Sequence, residues 1–492
     1  MGRPSRLVSA LGHVRPRGIA LGASVVLVAA CSGGGDKATT QPSTTLPAEA
    51  VAVLPATGPV VVGQTLQLGF AALDTSGNPL TLVVNWSSSD STKATVSSTG
   101  LVTGVAVGTA TITATPTTGT LTAKAVISVK PPPTTGSLVF ASVSVGAQHT
   151  CAVTTGGLAY CWGYNSLGQL GNDTTALSTL PVLVAGGVGF TSVKAGTDHT
   201  CALAATGAAY CWGANGAGQL GDSSTFPSVT PVPVYGGFSF SSLSAGNRFT
   251  CGVAVAGGAY CWGVNNYGQL GDSVTSNSTI PAAVTGGVPL ISLSSAAGLT
   301  CGRSAAGTAY CWGQNNNGQL GNGVTNDSAT SMPTAVVGGL VFGSLSVGLS
   351  YSCGATTAGA AYCWGANLLG GMGNDATTVS SSPVPVTGGL SFTSVQAGNG
   401  FTCALTASGA AYCWGDNSIG QLGTGTTISG STTPVAVAGG LVFTALSVSA
   451  DGGHACGLTS AGAIYCWGSN ALGQLGNGTT TSFSGAPVHV GG

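Results

Sequence analysis

The stretch Gly398-Asn-Gly-Phe-Thr-Cys403-Ala-Leu-Thr-Ala-Ser-Gly409-Ala-Ala-Tyr-Cys413-Trp414-Gly-Asp-Asn417-Ser-Ile-Gly-Gln421-Leu-Gly423 decides the fold, because variants of it occur seven times in the chain. The tryptophans of the seven copies are Trp162, Trp212, Trp262, Trp312, Trp364, Trp414 and Trp467, so successive differences are 50, 50, 50, 52, 50 and 53. A fixed period of this size marks a repeat architecture, in which each unit buries its apolar face only by stacking on neighbours. Roughly fifty residues hold four short strands and their turns, which is one propeller blade. The expectation is an all-β chain whose residues 137–492 form a seven-bladed β-propeller.

Each copy carries two cysteines ten positions apart: Cys151 and Cys161, Cys201 and Cys211, Cys251 and Cys261, Cys301 and Cys311, Cys353 and Cys363, Cys403 and Cys413, and Cys456 and Cys466. Glycine follows the first cysteine by six residues in every copy, at Gly157, Gly207, Gly257, Gly307, Gly359, Gly409 and Gly462. A three-residue hairpin loop takes glycine at its last, left-handed position. Pairing Thr406 with Ala410 across such a loop sets Cys403 opposite Cys413, at a separation a disulfide spans. An even count at rigid spacing in an exported chain reads as a disulfide framework. Zinc would need four converging ligands, and no second Cys/His pair recurs beside these.

Outward from the repeats, residues 50–130 alternate in the manner of short strands, as in Leu82-Val-Val-Asn-Trp86 and Ala110-Thr-Ile-Thr-Ala114. About seven short strands in eighty residues argue a small β-sandwich. Residues 131–136 begin Pro131-Pro132-Pro133, a stiff linker. Residues 31–49 are a Gly/Ser/Thr/Pro-rich tether. Residues 1–30 combine Arg3, Arg6, Arg15 and Arg17 with an uncharged run from Ile19 to Ala30, which reads as a signal peptide.

Three resemblances follow from these residues. Val28-Ala29-Ala30-Cys31-Ser32 resembles a bacterial lipobox, which implies lipidation of Cys31 and a place in the outer membrane, at the cell surface or in the periplasm. Val28 stands where leucine is commoner. Trp86-Ser-Ser-Ser-Asp90, Ala94-Thr-Val-Ser-Ser-Thr-Gly-Leu-Val102 and Gly108-Thr-Ala-Thr-Ile-Thr113 resemble the group-2 bacterial immunoglobulin-like domain, which implies a spacer. Gly-x-x-His-Thr-Cys-Ala-Leu followed by Tyr-x-Trp-Gly-x-Asn-x-x-Gly-Gln-Leu-Gly resembles the regulator of chromosome condensation repeat, whose members fold as seven-bladed propellers. The fifth copy departs from it, with Gly370-Gly371-Met372-Gly373.

Charge excludes one class of function. The propeller holds three basic residues, Lys194, Arg248 and Arg303, against eight aspartates, a net of 3 − 8 = −5, and phosphate backbones need clustered Lys and Arg. His149, His199 and His454 share one repeat position in the first, second and seventh copies, where other copies carry Phe249, Leu299, Tyr351 and Phe401. A slot that accepts large apolar side chains reads as structural rather than metal-binding. Identical placement of each Tyr and Trp argues for packing between blades, and the repeated Asn and Gln read as turn-fixing groups.

Two variable sets remain, one before each first cysteine and one after each Trp-Gly-x-Asn. They supply the candidate binding face: Gln148, Asp198, Arg248, Tyr267, Leu368 and Leu369. The expected whole is an exported, lipid-anchored, monomeric scaffold that binds a protein or glycan partner. No enzymatic activity, cofactor, metal or nucleic acid is expected. Two other classes stay open. One is a guanine-nucleotide-exchange-like role, implied by the family resemblance alone. The other is an enzyme with a site on the propeller axis.

Overall fold

A computed structural model describes residues 50–491 except 55–56, 64, 75–78, 119–120, 131–137, 326–328 and 428. The signal peptide, Cys31, the tether and the linker expected above lie outside the described residues.

The segment from Ala50 to Lys130 is a β-sandwich. One sheet pairs Val84–Ser88, Gly108–Pro116 and Ala123–Lys130, with Thr57–Val61 added in parallel at the edge. Alternation works as the sequence requires: Ile112, Ala114, Ala125 and Ile127 are fully buried. Gly100 turns the chain at φ 82°, where a Cβ would lie 2.9 Å from the Trp86 ring.

From Phe140 onward the chain builds seven four-stranded antiparallel sheets, each from consecutive strands. The first blade runs Phe140–Val145, His149–Thr154, Ala159–Gly163 and Ser178–Leu183, from the axis outward. The second and third strands form the cysteine hairpin, and Cys151 stands directly opposite Cys161. The same register sets Cys201 opposite Cys211, Cys251 opposite Cys261 and Cys301 opposite Cys311. It likewise sets Cys353 opposite Cys363, Cys403 opposite Cys413 and Cys456 opposite Cys466. All seven pairs are bonded as the spacing predicts, with Cα atoms 4.0–4.1 Å apart. The hairpin glycine has positive φ in every blade, 81° at Gly409, and the Thr406 N–H donates to Ala410 as the loop geometry requires. Each bridge closes a loop of about eleven residues, worth about 2–3 kcal/mol in the chain-entropy model.

Disulfides hold blades, while tryptophans hold the ring. Every repeat tryptophan is fully buried and donates its indole N–H to a backbone carbonyl of the preceding blade. Trp212 reaches Gln169 at 2.9 Å, and Trp414 reaches Gly371 at 2.9 Å. The last glycine of Gly-Gln-Leu-Gly lies flat against that indole: a Cβ on Gly171 would sit 2.6 Å from Trp212 Nε1. Removing an indole from water is worth about 4–6 kcal/mol as an upper bound.

The ring closes between blades rather than inside one. The last sheet takes all four strands from Phe443–Val448, His454–Thr459, Ile464–Ser469 and Phe483–His489. The closing seam repeats the contacts of its siblings: Trp162 Nε1 and Thr150 Oγ1 both donate to the Gln474 carbonyl, at 3.0 and 2.8 Å. The Phe140 N–H donates to Gly462 at 2.9 Å, as Phe190 does to Gly157 at 2.8 Å. A Thr150→Val change at this seam is therefore expected to cost about 1–3 kcal/mol in urea unfolding, and Thr200→Val at the next seam a similar amount. A Thr150→Val cost near zero would show that closure does not depend on this contact.

Candidate binding face

The loops that join first to second strands and third to fourth strands emerge on one face of the ring. In the first blade they meet where the Tyr164 N–H donates to the Gln148 carbonyl at 2.9 Å. All six candidate residues therefore share a face. They are not gathered into one pocket, because each sits at its own position around the ring.

Inside each outer loop the repeated asparagine is buried, and its Oδ1 accepts the N–H five residues on, as Asn165 does from Leu170 at 2.9 Å. The repeated glutamine turns its Oε1 back to cap a loop N–H, as Gln169 does for Leu167 at 3.0 Å. Both roles match the turn-fixing expectation.

The variable residues are not independent of one another. The second residue of each outer loop lies over the next blade's residue before the first cysteine. At three seams a large loop residue faces a glycine. Tyr267 fills the space a Cβ on Gly298 would need, at 2.6 Å, and Leu369 does the same to Gly400. Ile419 lies against Gly453 in the same way. Arg248, in a left-handed conformation at φ 59°, pairs with the small loop of Gly216 and Ala217. Tyr267 and Leu369 are thus half-covered, and part of the variability read as recognition is size complementarity across seams. Leu368 is different: it stands clear of the surface at 83% exposure.

Electrostatics on the face are sparse. Gln148 and Arg248 are exposed. Burial pushes the Asp198 carboxyl up, and Arg248 partly offsets this.

The three histidines lie beneath the face, fully buried, at successive seams. His454, His149 and His199 place Nε2 2.9, 2.8 and 2.8 Å from the hydroxyls of Thr150, Thr200 and Thr250. Each threonine spends its own proton on a Gln carbonyl of the preceding blade, so each histidine donates from Nε2. Each Nδ1 is buried without a partner. In the fifth blade Tyr351 spans the same gap, its hydroxyl 2.8 Å from Thr402. A Cβ on Gly371, where other blades have glutamine, would lie 3.1 Å from the Gly400 carbonyl oxygen and 3.2 Å from the Tyr351 ring, tighter than ordinary contact. Among the described residues no group of three or more His, Cys, Asp or Glu side chains is placed to hold a metal ion.

With this geometry in view, the comparisons are specific about family. The model of the regulator of chromosome condensation (RCC1) repeat matches residues 156–203, 206–253, 256–302, 306–355, 358–405, 408–458 and 461–492. The chain belongs to the regulator of chromosome condensation repeat family. Its repeats as matched begin in the cysteine hairpin, half a blade out of phase with the sheets. The bacterial Ig-like domain (group 2) matches residues 47–127. That module and seven disulfides are features of exported proteins.

Among solved structures, yeast RCC1 (Prp20) bound to Kap60 is 17% identical with TM-score 0.60, covering 72% of this chain and 85% of its own. Human WBSCR16 is 19% identical with TM-score 0.57, covering 63% and 84%. Prp20p from Saccharomyces cerevisiae is 20% identical with TM-score 0.55, covering 63% and 80%. These likenesses establish the fold. No curated protein matches the chain.

The histidines make the ring acid-sensitive. Desolvation, joined at His149 by the charges of His199 and His454, lowers the imidazole pKa values to about 3, 4 and 3 for His149, His199 and His454. Unfolded histidines bind protons from about pH 6.5 downward, while folded ones stay neutral until about pH 4 to 3. Stability is then full above pH 6.5 and falls as pH drops through that window. Urea unfolding between pH 7 and 4 should show this decline. His454→Phe should flatten it by about one proton, since Phe249 and Phe401 already fill equivalent slots. An unchanged slope would exclude the seam histidines as its cause.

Proposed function

We propose that the chain is an exported scaffold, lipid-anchored through Cys31 at the outer membrane, and that it works by binding rather than catalysis. The propeller face bearing the outer loops presents residues to a protein or glycan partner at the cell envelope, and the immunoglobulin-like domain serves as the spacer. One observation carries this reading: Leu368 and Leu369, at 83% and 52% exposure, form two adjacent exposed leucines on the outer-loop face. An exposed apolar side chain on a rigid frame loses little entropy on binding and gains its whole desolvation.

The yeast relative is seen with Kap60, and its binding to Gsp1p and histones has been examined. Those proteins share this fold, and their partners are proteins, which supports recognition as the use of the frame. An exchange-like activity has only the family behind it. The net charge of −5 on the propeller speaks against a nucleic-acid surface held by phosphate contacts.

Proximity labelling in intact cells, with the processed chain beginning at residue 31 as bait, tests this. A stoichiometric partner should be recovered and should fall at least tenfold with Leu368→Ser and Leu369→Ser together, at unchanged melting temperature. A partner retained by the double variant, or none from a folded and surface-exposed bait, would overturn the proposed face.

A further inference from the structure

The innermost strands surround a cavity of about 180 Å³ on the axis. That is many times the ~10–15 Å³ a single water requires on the same measure. One residue per blade, directly opposite the first cysteine on the neighbouring strand, sets its chemistry: Ser144, Lys194, Ser244, Ser294, Ser346, Gln396 and Ser447. Four of the serines bridge seams. Ser144 Oγ accepts the Ala195 N–H at 3.0 Å, Ser294 that of Val347 at 3.0 Å, Ser346 that of Ala397 at 2.9 Å and Ser447 that of Val145 at 3.0 Å. A hydroxyl that accepts in this way keeps its proton for a second partner.

Lys194 and Gln396 interrupt the serine ring. Lys194 lines the cavity with its side chain exposed to it, and the surrounding protein lowers its ammonium pKa with no neighbouring charge contributing. No ion pair among the described residues engages it. An ammonium that faces a cavity without an ion-pair partner leaves its charge open to a bound counter-ion. The polar lining around it is mostly hydroxyl and amide groups that can donate to an anion, with Asp451 the one carboxylate among them.

At the loop-face end of the cavity, Ala450 and Asp451 of the seventh blade line it. The first loop of the seventh blade spans 449–453 where that of the first blade spans only 146–148. Ala450 packs against the cluster of Ala296 and Val347 from the fourth and fifth blades. Asp451 Oδ2 accepts a hydrogen bond from Thr197 of the second blade. Asp451 Oδ1 is buried without a partner and also borders the cavity. Burial pushes this carboxyl up, the Thr197 hydrogen bond pulls it back down, and the nearby Asp198 adds to the rise.

We infer that the axial cavity binds a small oxyanion, a carboxylate or a phosphate, between Lys194, Gln396 and the serine hydroxyls, with the 449–453 loop closing it on the outer-loop face. This site is separate from the face proposed above and stands without it. The full chain labelled with ¹³Cε-lysine carries five lysine signals, and Lys194→Met assigns the relevant one. Inorganic phosphate and sodium acetate are the probes.

A bound anion favours the charged amine, so one or both probes should shift the Lys194 signal saturably and move its titration to higher pH. A response to phosphate alone identifies a phosphate-type ligand, and one to acetate alone a carboxylate. By calorimetry, affinity should fall at least tenfold in Lys194→Met and survive in Lys194→Arg, which keeps the charge. A Lys194 signal unmoved by both probes in the folded protein overturns the site, as does equal affinity in Lys194→Met.

Discussion

The indole N–H of each repeat tryptophan, donated to a backbone carbonyl of the preceding blade, is the contact on which the ring depends. Its acceptor is main chain, so the side chain at that position is free to change. The fifth blade uses this freedom: Gly371 supplies the carbonyl to Trp414 as well as Gln421 does to Trp467. What cannot change is the glycine two positions on, because the indole occupies the place of its Cβ. The repeat motif is thus largely a description of one seam, with Gln-Leu-Gly on one side and Thr-Cys with Tyr-Cys-Trp on the other.

Two kinds of bond divide the work. Each disulfide lies within a hairpin and restricts the unfolded chain locally, and none crosses a seam. Cohesion between blades comes from buried aromatics, from the threonine hydroxyls and from backbone pairs. Seam six to seven shows the tolerance of this scheme: Ala455 has no hydroxyl, and Trp467 alone makes the carbonyl bond there. Because every blade uses its own four strands, closure gains nothing from strand exchange. The long loop of the seventh blade adds what the closing seam otherwise lacks, since 450–452 reach elements of the first, second, fourth and fifth blades.

The frame was legible in the sequence because it repeats. Cysteine spacing, the hairpin glycines and the tryptophan period each follow from local geometry, and all hold in the structure. The structural role of His149, His199 and His454 was legible from Phe249 and Phe401 in the same slot. Features that depend on which residue faces which across a seam were not legible. Gly298, Gly400 and Gly453 looked like variation for a ligand, although each yields to Tyr267, Leu369 or Ile419 from the blade before. The axis was missed for another reason. Lys194 and Gln396 stand out from the serines only when residues opposite the first cysteine are compared. A signal for the long loop did exist, since the last tryptophan spacing is 53 and two of its extra residues fall in 449–453.

Coupling between seam partners limits how such a face diversifies. A change at Tyr267 must suit Gly298, and a change at Leu369 must suit Gly400, so variation there comes in pairs. Leu368, 83% exposed, stands outside this coupling. The same loop has also lost its glutamine cap, for Gly371 has no Oε1 to accept the Leu369 N–H as Gln169 accepts that of Leu167. The loop that exposes Leu368 and Leu369 is therefore the one without a glutamine cap. Beneath that loop Met372 takes the buried leucine position and keeps the seam packed.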